Sequence, residues 1–334
     1  MSAMAKINAE ENKMTKNDDH KVELLNNYLG NKAIALCVTG GIAAIETPKI
    51  ARQLRRYGAE VKVYLTGAAQ QFIGKSALEW GTGQSIVTEL SGLAEHLCRE
   101  DAVLVAPATT NTINKIFSGI ADNPVTTLVA SALGQGKPVY LAPCMHESLY
   151  NNPFLQENLT RAESYGLKII PPRFGEGKAK IARLETIVAG LSHDLSEDPL
   201  RGKKILVTAG PTPVKIDAVR KITNKFRGTL GKFIAQEAYL RGAEVKLLLG
   251  ETGMPVPEYL DVQYHSDFDQ YYQNVFSALA EQKYDFGIFS AAVADFKPKE
   301  VYAGKFPSEE ELHLDFEHTP KVIREVRERF PELY

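Results

Sequence analysis

The sequence contains one nucleotide-binding pattern twice, and this repeat limits the folds that the chain can adopt. Residues 34–67 read as a strand, a VTGG turn, a helix and a second strand ending in YLTG. Residues 205–250 repeat this order with a VTAG turn and a second strand ending in LLLG. Strand–helix–strand units of this kind bind phosphate-bearing ligands at the first turn. We therefore expect two tandem units and two such ligands.

The second unit carries an insert that the first one lacks. Residues 211–228 (PTPVKIDAVRKITNKFRG) are polar and separate the turn from the following helix. Loops of this length inside a compact domain are commonly functional. We expect the insert to form part of a site.

Composition favours a soluble protein of about two domains. The chain has 334 residues, of which 44% are apolar, and a net charge of −2. A net charge this small produces no overall electrostatic attraction to nucleic acid or to an anionic membrane. No apolar run reaches membrane-spanning length. Cys37, Cys98 and Cys144 are scattered without metal-ligand spacing, which fits a reducing compartment. We expect a cytoplasmic protein with no metal site, nucleic-acid partner or membrane segment.

Strand and helix patterns alternate, which predicts an α/β fold of two tandem Rossmann-like, parallel-sheet domains, the first of them flavodoxin-like. We expect a polar N-terminal extension over residues 1–28, a first domain over 29–195, a linker over 196–203 and a second domain over 204–334. Few strand signals follow residue 290, so we expect the second domain to be incomplete. The predicted strands are 33–38, 60–65, 102–106, 138–142, 168–170, 204–208, 244–249 and 286–290; the predicted helices are 46–57, 112–118, 125–133, 154–165, 184–195, 230–241, 268–282 and 320–329.

Small and hydroxyl side chains follow neighbouring strands of the first domain. Unpaired N–H groups at a helix start attract phosphate, and small residues permit close approach. Because the carboxyl ends of parallel strands meet at one crevice, we expect these turns to converge. A tight turn without a ligand is the alternative for the first turn alone. The predicted binding residues are Thr39, Gly40, Gly41, Ile42, Ala43, Thr66, Ala106, Pro107, Ala108 and Thr109.

Further polar residues are expected near the same crevice. His96 precedes the strand 102–106 and is the candidate for proton transfer near neutral pH, with a purely structural histidine as the alternative. Met145 and His146 follow the strand 138–142, although Met145 also suits core packing. Residues 175–182 (GEGKAKIA) suit either a mobile flap over an anionic ligand or a solvated loop.

The second domain has its own candidates. Gly210, Pro211 and Thr212 repeat the phosphate-turn pattern. Asn224 in the insert could hold a carboxylate or an acyl phosphate. Asp295 follows the strand 286–290, where an aspartate commonly binds a ribose hydroxyl or a base. Lys305 could neutralise a triphosphate, although a loop lysine is more often solvated.

Six strings occur in an order that resembles one family, the bifunctional flavoproteins of coenzyme A biosynthesis. They are VTGGIAA, LVAPATTNT, APCMHESLYNNP, ILVTAGPT, the ITN of the insert and AAVADFKP. That family joins phosphopantothenoylcysteine decarboxylase to phosphopantothenate–cysteine ligase. The resemblance covers residues 32–329, and HESLYNNP with GEGKAKIA is most similar to its archaeal branch.

The resemblance implies that the first domain binds FMN through the turns named above. It implies that His96 acts as base and that Asn111, Met145 and His146 contact 4'-phosphopantothenoylcysteine. The thiol of this substrate would be oxidised by FMN, CO2 would leave, and the reduced flavin would restore the thiol of 4'-phosphopantetheine. The bacterial flap supplies a cysteine as proton donor, whereas residues 175–182 contain none; Cys144 and Lys178 are alternatives.

For the second domain, the resemblance implies a CTP-dependent ligation of 4'-phosphopantothenate with cysteine. CTP with Mg²⁺ would convert the carboxylate into an acyl-cytidylate, which the cysteine amine resolves. Asn224 matches the residue that holds this intermediate, and Asp295 and Lys305 match nucleotide contacts. Homo-oligomers are also implied, with a trimer-based FMN domain and a dimeric ligase domain. Phe289, Ser290 and Ala291 match further nucleotide contacts.

Two other functions compete with this interpretation. A flavin-binding regulatory or scaffold subunit would fit the flap that lacks a cysteine. An NAD-linked oxidoreductase is disfavoured, because neither turn reads GxGxxG with an acid at the end of the next strand.

Overall fold

The computed structural model describes residues 20–309 and 311–334. Its contacts divide the chain into two compact units; the first ends at Leu191 and the second is Ser192–Tyr334. Most of the expected N-terminal extension, residues 1–28, lies outside the described residues. Within the described ranges, no helix has the length and apolar character that crossing a membrane requires.

The first unit is built on a five-stranded parallel sheet with the order β2-β1-β3-β4-β6. This is the flavodoxin-like order, which confirms the predicted α/β class. A three-stranded antiparallel sheet, β5-β8-β7, stands beside it. The strands are β1 (Ala33–Val38), β2 (Glu60–Leu65), β3 (Ala102–Ala108), β4 (Val139–Pro143), β5 (Met145–His146), β6 (Leu167–Ile169), β7 (Arg173–Gly175) and β8 (Lys178–Lys180).

Helices cover the central strands because those strands are apolar on both faces. Leu36, Leu104 and Leu141 are fully buried in β1, β3 and β4. Leu141 packs with Ile113 and Leu128, which come from two helices, in one core cluster. The helices are α1 (Thr47–Arg56), α2 (Lys75–Thr82), α3 (Thr110–Phe117), α4 (Pro124–Gly134), α5 (Glu147–Tyr150), α6 (Pro153–Arg161) and α7 (Leu184–Leu195), with 3-10 turns at Ile42–Glu46, Ala69–Gln71 and Glu163–Tyr165.

Several boundaries differ from the sequence predictions for identifiable reasons. Helix α3 starts two residues earlier than predicted because the Thr109 hydroxyl accepts a hydrogen bond from the Thr112 N–H and caps the helix. The predicted helix 154–165 ends at Arg161, and a 3-10 turn follows. The predicted flap is the β7–β8 hairpin. Helix α2 was not predicted, since its sequence KSALEWGT carries little apolar periodicity.

The second unit has a four-stranded parallel sheet with the order β13-β12-β9-β14. Two antiparallel pairs, β10–β11 and β15–β16, lie outside this sheet. The strands are β9 (Lys204–Ala209), β10 (Val214–Lys215), β11 (Lys221–Ile222), β12 (Glu244–Gly250), β13 (Asp261–His265), β14 (Phe286–Phe289), β15 (Phe296–Pro298) and β16 (Phe316–His318); the helices are α8 (Thr229–Leu240), α9 (Phe268–Glu281) and α10 (Val322–Arg329).

Helices pack on two apolar surfaces of this second sheet. Ala235 and Ala238 of α8 join Val207 of β9 and Leu247 of β12 in one cluster. A second cluster brings α9 and α10 together with Leu206 and Leu248. Successive residues of one strand thus face different helices, as expected of a strand that is covered on both sides.

Candidate active sites

The turn after β1 is tied to the end of β3 through one buried hydroxyl. Thr39 is fully buried, and its Oγ1 donates a hydrogen bond of 2.6 Å to the carbonyl of Pro107. The backbone N–H of Thr109 donates to the same Thr39 Oγ1 at 3.3 Å. The two turns that the sequence singled out therefore meet at the carboxyl edge of the sheet, as predicted.

Glycine is required at Gly40 by close contact with the chain after β2. A Cβ placed on Gly40 would lie 2.6 Å from the Cβ of Ala68 and 3.0 Å from its carbonyl carbon. At Gly41 an added Cβ would meet only the Thr109 methyl, at 3.6 Å. Thr66 lies beside this contact, and its hydroxyl accepts from the Ala69 N–H at 3.2 Å. The chain after Thr66 thus packs against the backbone of the first turn.

The same turn also offers backbone N–H groups and an exposed apolar side chain. The Ile42–Glu46 3-10 helix starts directly after Gly41, and the first N–H groups of a helix have no intrahelical acceptor. The Ile42 side chain is 70% exposed, which is unusual for an isoleucine that follows a buried strand. Donors for phosphate and an apolar surface for a planar ring therefore lie next to each other.

Helix α3 and strand β5 approach each other beside these turns. The hydroxyl of Thr110 donates to the sulfur of Met145 at 2.9 Å. Cys144 donates its N–H to the Ala108 carbonyl at 3.1 Å. Asn111 is exposed on the first turn of α3. The predicted substrate residues Asn111 and Met145 are thus brought near the Thr109 turn, and Thr110 is a contact that the sequence analysis did not single out.

The β7–β8 hairpin extends from the same region, since β8 pairs with β5. Met145 is opposite Ala179, and His146 is opposite Lys178. Burial raises the pKa of the Cys144 thiol, although the Ile181 backbone and the Arg173 charge act in the opposite direction. Cys144 is therefore a protonated thiol at neutral pH, located at the base of the hairpin.

His96 is not joined to these turns. It is exposed, in a loop without regular structure between residues 88 and 99. Glu100, which is buried, anchors the end of this loop by accepting from the Tyr64 hydroxyl and the Arg99 N–H, each at 3.1 Å. Among the described residues, no hydrogen bond or ion pair connects His96 to Thr39, Thr109 or Asn111. Its catalytic role stays a prediction.

In the second unit, the turn after β9 lies against the chain that follows β14. Gly210 accepts from the Ala292 N–H at 2.8 Å, and the Ala294 N–H donates to the Thr212 hydroxyl at 2.8 Å. Pro211 forms an isolated parallel bridge with Ala292. The two candidate segments of this unit, residues 210–212 and 289–295, therefore run side by side.

Two glycines, Gly210 and Gly228, make this junction possible. Gly210 has a φ of +82°, and an added Cβ would lie 2.9 Å from the Gly250 nitrogen. Gly228, at φ +81°, would place a Cβ 2.6 Å from the Gly210 nitrogen. Any side chain at these positions would collide with backbone, so the insert returns to the sheet directly over the turn.

Of the three further candidates in this unit, Asn224 contacts the junction, whereas Asp295 and Lys305 are exposed. The Asn224 amide donates to the Ala292 carbonyl at 2.9 Å, so the insert contacts the end of β14. Asp295 is exposed and accepts from Lys321 at 2.5 Å, and this hydrogen bond and charge lower the pKa of the carboxyl. Lys305 is exposed on the loop before β16. Lys321 was missed by the sequence analysis because its partner is distant in the chain.

Asp217 and Arg220, which form a pair in the insert, had no sequence signal. The side chain of Asp217 in the insert is fully buried and pairs with Arg220 at 2.7 Å. Ser290, by contrast, was singled out, and its hydroxyl donates to the Thr208 carbonyl at 2.8 Å, which fixes the end of β14 against β9. Phe289 and Ala291 flank it and are half-buried.

Comparisons with known proteins agree with the division of the chain into two units. Residues 23–196 match the family model described as "Flavoprotein", and residues 200–332 match "DNA/pantothenate metabolism flavoprotein C-terminal domain". The coenzyme A biosynthesis bifunctional protein CoaBC of Thermococcus kodakarensis is 40% identical over 94% of this chain and 80% of its own length. The protein of the same name from Methanocaldococcus jannaschii is 37% identical, over 90% of this chain and 74% of its own.

A solved structure of the FMN-dependent cysteine decarboxylase SpaF is also similar, with 25% identity and a TM-score of 0.45 over 49% of this chain and 97% of that one. The two family matches account for both units in the expected order, and the relatives extend across the boundary between them. The chain therefore belongs to the family of CoaBC bifunctional proteins of coenzyme A biosynthesis.

Proposed function

We propose that this chain catalyses two steps of coenzyme A biosynthesis, an FMN-dependent decarboxylation in the first unit and a CTP-dependent ligation in the second. One observation carries the proposal: each unit has its own turn at the carboxyl edge of its own parallel sheet, at Thr39 and at Gly210. Membership of a bifunctional family, with both units matched, supports this assignment. The decarboxylase domain corresponds to residues 29–195 and the ligase domain to residues 204–334, and both reactions suit the cytoplasm.

The residues of the first unit fit FMN. The packed glycine at Gly40, the unpaired N–H groups after it and the exposed Ile42 offer a phosphate cradle beside an apolar surface. When bound, FMN would supply the electron sink that release of CO2 from a cysteinyl carboxylate requires. The residues that would hold it are Thr39, Gly40, Gly41, Ile42, Ala43, Thr66, Ala106, Pro107, Ala108 and Thr109.

The substrate is 4'-phosphopantothenoylcysteine. Asn111 and Met145 lie next to the Thr109 turn and would hold its cysteinyl end, with His146 beside them. An imidazole nitrogen of His96 would take the thiol proton. Of the two proton donors that the sequence left open, Cys144 is the better placed, because its backbone N–H donates to the Ala108 carbonyl at the end of β3. Lys178 is exposed on the hairpin.

A homo-oligomer would complete the first site. His96 is separate from the turns of its own unit, and its loop exposes Leu90, Leu93 and Leu97 by 43%, 82% and 48%. Exposed leucines on one loop favour a protein contact. A trimer-based assembly would bury them and carry His96 to the site of a neighbouring subunit; a dimer of the ligase unit is part of the same proposal.

In the second unit, the substrates are 4'-phosphopantothenate, cysteine and CTP. A carboxylate is a poor electrophile, so transfer of a cytidylyl group would give it a leaving group that the cysteine amine can displace. Asn224 would hold the activated carboxyl, Asp295 the ribose and Lys305 the triphosphate, with Gly210–Thr212 and Phe289–Ala291 lining the pocket. Mg²⁺ would enter with the phosphates of CTP, since this ion usually keeps few protein ligands.

Ligand and product assays test both halves. We expect the purified chain to take up about one FMN per first unit and to ignore NADH, as the absence of a GxGxxG turn implies. CTP, 4'-phosphopantothenate and cysteine together should release pyrophosphate over many turnovers. Omission of CTP or of 4'-phosphopantothenate should abolish this release, and omission of cysteine should limit it to a single turnover, because pyrophosphate leaves when the acyl-cytidylate forms. Uptake of NADH in place of FMN would contradict the first assignment, and pyrophosphate release without CTP would contradict the second. FMN uptake without either activity would favour a flavin-binding scaffold.

A further inference from the structure

The insert of the second unit contains one buried carboxylate, Asp217, directly before a stretch that is mostly exposed. Most residues between 218 and 227 are exposed, and Val219 is 67% exposed. The Asp217 side chain, between β10 and β11, has no exposed surface. A carboxylate is buried without loss of stability only where it is hydrogen-bonded or paired, so its partners indicate what it does.

One oxygen of this carboxylate holds the turn of the hairpin. Asp217 Oδ1 accepts from the N–H groups of Val219 at 2.7 Å and Arg220 at 2.5 Å. An aspartate that accepts from N–H groups two and three residues later closes a turn locally. This half of the interaction explains the β10–β11 hairpin, but it leaves the other oxygen free for a second role.

The other oxygen reaches a distant segment. Asp217 Oδ2 accepts from Arg220 Nη1 at 2.7 Å and from the N–H of Phe306 at 3.1 Å. The same Nη1 of Arg220 donates to the Phe306 carbonyl at 3.2 Å. The carboxylate and the guanidinium therefore satisfy both backbone groups of Phe306, the residue directly after Lys305.

Two backbone hydrogen bonds fasten the same segments together. Ala218 donates to the Gly304 carbonyl at 2.9 Å, and Tyr302 donates to the Ile216 carbonyl at 3.0 Å. Burial alone would raise the pKa of Asp217, but the three backbone N–H donors and the charge of Arg220 lower it to about 2. The carboxylate is thus ionised at neutral pH, and both oxygens act as acceptors.

We propose that Asp217 is a positioning residue of the ligase half, which fixes the Lys305 loop against the insert that carries Asn224. This inference rests on the proposed function, since it assumes that Lys305 and Asn224 serve one nucleotide pocket. Asp217 touches no substrate in this account. It acts through the backbone of Phe306 on one side and of Arg220 on the other.

The variant Asp217→Asn separates the two roles of the side chain. The amide oxygen can still accept from Val219 and Arg220 and preserve the turn. Its NH₂ group then faces two donors, the Phe306 N–H and the Arg220 guanidinium, and cannot accept from either. Asp198→Asn is the matched control, because Asp198 also accepts from the N–H of the second residue after it, Leu200, at 2.9 Å and approaches an arginine, Arg241, at 3.5 Å.

Hydrogen exchange and CTP binding by equilibrium dialysis are measured on the full chain. In Asp217→Asn we expect exchange at the Phe306 and Ala218 amides to accelerate about tenfold, and the Kd and KM for CTP to rise about tenfold with a smaller change in kcat. Asp198→Asn should match the wild type in all of these. If Asp217→Asn fails to fold, Arg220→Met removes only the guanidinium contacts and should produce the same shifts, at reduced size.

Each outcome decides a different statement. Unchanged exchange at Phe306 in Asp217→Asn would overturn the connection between the two segments. Faster exchange with an unchanged Kd for CTP would overturn the positioning role while leaving the proposed function intact. A wild type that binds no CTP would overturn the proposed ligase function and, with it, this inference.

Discussion

Thr39 donates its hydroxyl hydrogen to the carbonyl of Pro107, and this 2.6 Å bond joins the two turns of the proposed FMN site. Both groups are buried, so no water replaces the bond if it is lost. Thr39→Val keeps the volume and removes the donor. We expect a loss of about 1–3 kcal/mol in the free energy of unfolding, and weaker FMN binding because the turns are no longer held together.

The control for Thr39→Val is Thr82→Val. Thr82 is also buried and donates its hydroxyl to a carbonyl, that of Leu78, at 2.9 Å, but it lies inside α2. Chemical denaturation and FMN titration of both variants separate folding from binding. An equal loss of FMN affinity in the two variants would show that the Thr39 bond contributes only to stability.

Gly40→Ala tests the close contact beneath the same turn. The new Cβ would lie 2.6 Å from the Cβ of Ala68, so the turn must move away from the chain after β2. We expect FMN affinity to fall at least tenfold, with a cost of about 1–3 kcal/mol in stability. Gly190→Ala, inside α7 with nothing within 4 Å, should stabilise the protein by about 0.5–1 kcal/mol and leave FMN binding unchanged. Normal FMN affinity in Gly40→Ala would show that this turn is not part of the FMN site.

Asp295→Asn tests the proposed ribose contact in the second unit. The ion pair of Asp295 with Lys321 has both side chains more than half exposed, and such solvent-screened pairs add little to stability. We therefore expect a melting temperature close to that of the wild type and a KM for CTP raised about tenfold, as for loss of a hydrogen bond to a charged group. Steady-state pyrophosphate release measures this effect.

Asp261→Asn is the matched control, because the exposed carboxylate of Asp261 pairs with Lys246 at 3.0 Å in strands β13 and β12, away from the turn. Its kinetics should equal those of the wild type. The same KM shift in both variants would mean that the KM for CTP depends on surface charge and not on a contact at Asp295.

His265 predicts a pH dependence of stability in the second unit. Its ring is fully buried, and burial lowers its pKa to about 4, although the Pro211 carbonyl and Asp267 act in the opposite direction. Because the folded pKa lies below the unfolded value, the unfolded state takes up the proton first. The contribution of neutral His265 to the free energy of unfolding is fully present above about pH 6.5. It is lost, by on the order of 3 kcal/mol, as the pH falls from there to the folded pKa of about 4.

Hydrogen exchange in β12 and β13 between pH 7.5 and 4.5 measures this loss, after correction for the intrinsic rates. His265→Phe should remove much of the pH dependence, since it cannot be protonated. His313→Gln, at a histidine whose side chain is 88% exposed, should behave as the wild type. A wild-type slope retained in His265→Phe would assign the acid sensitivity to other groups.

The parts of the fold that the sequence predicts are those with strong local signals. The buried runs of β1, β3 and β9 each end in small or hydroxyl residues, and this pattern placed both turns correctly. Strand β13 was missed because it is an edge strand with only one fully buried residue, His265, so no apolar run marks it. The short pairs β10–β11 and β15–β16 offer even less pattern.

The contacts that link distant segments could not be read from the sequence. Asp217 meets Phe306 across 89 positions, and Asp295 meets Lys321 across 26. Neither acid has a local signal that names its partner, because the pairing depends on how two loops fold over one sheet edge. Burial of Asp217 is likewise a tertiary property, since most of the ten residues that follow it are exposed.

Release of CO2 from 4'-phosphopantothenoylcysteine by the FMN-loaded chain tests the central claim most directly. We expect the wild type to release one CO2 for each 4'-phosphopantetheine formed, over many turnovers. We expect His96→Asn to bind FMN normally but to decarboxylate at least a hundredfold more slowly, as for removal of a general base. A wild-type chain that binds FMN and releases no CO2, or a His96→Asn variant as active as the wild type, would contradict the account.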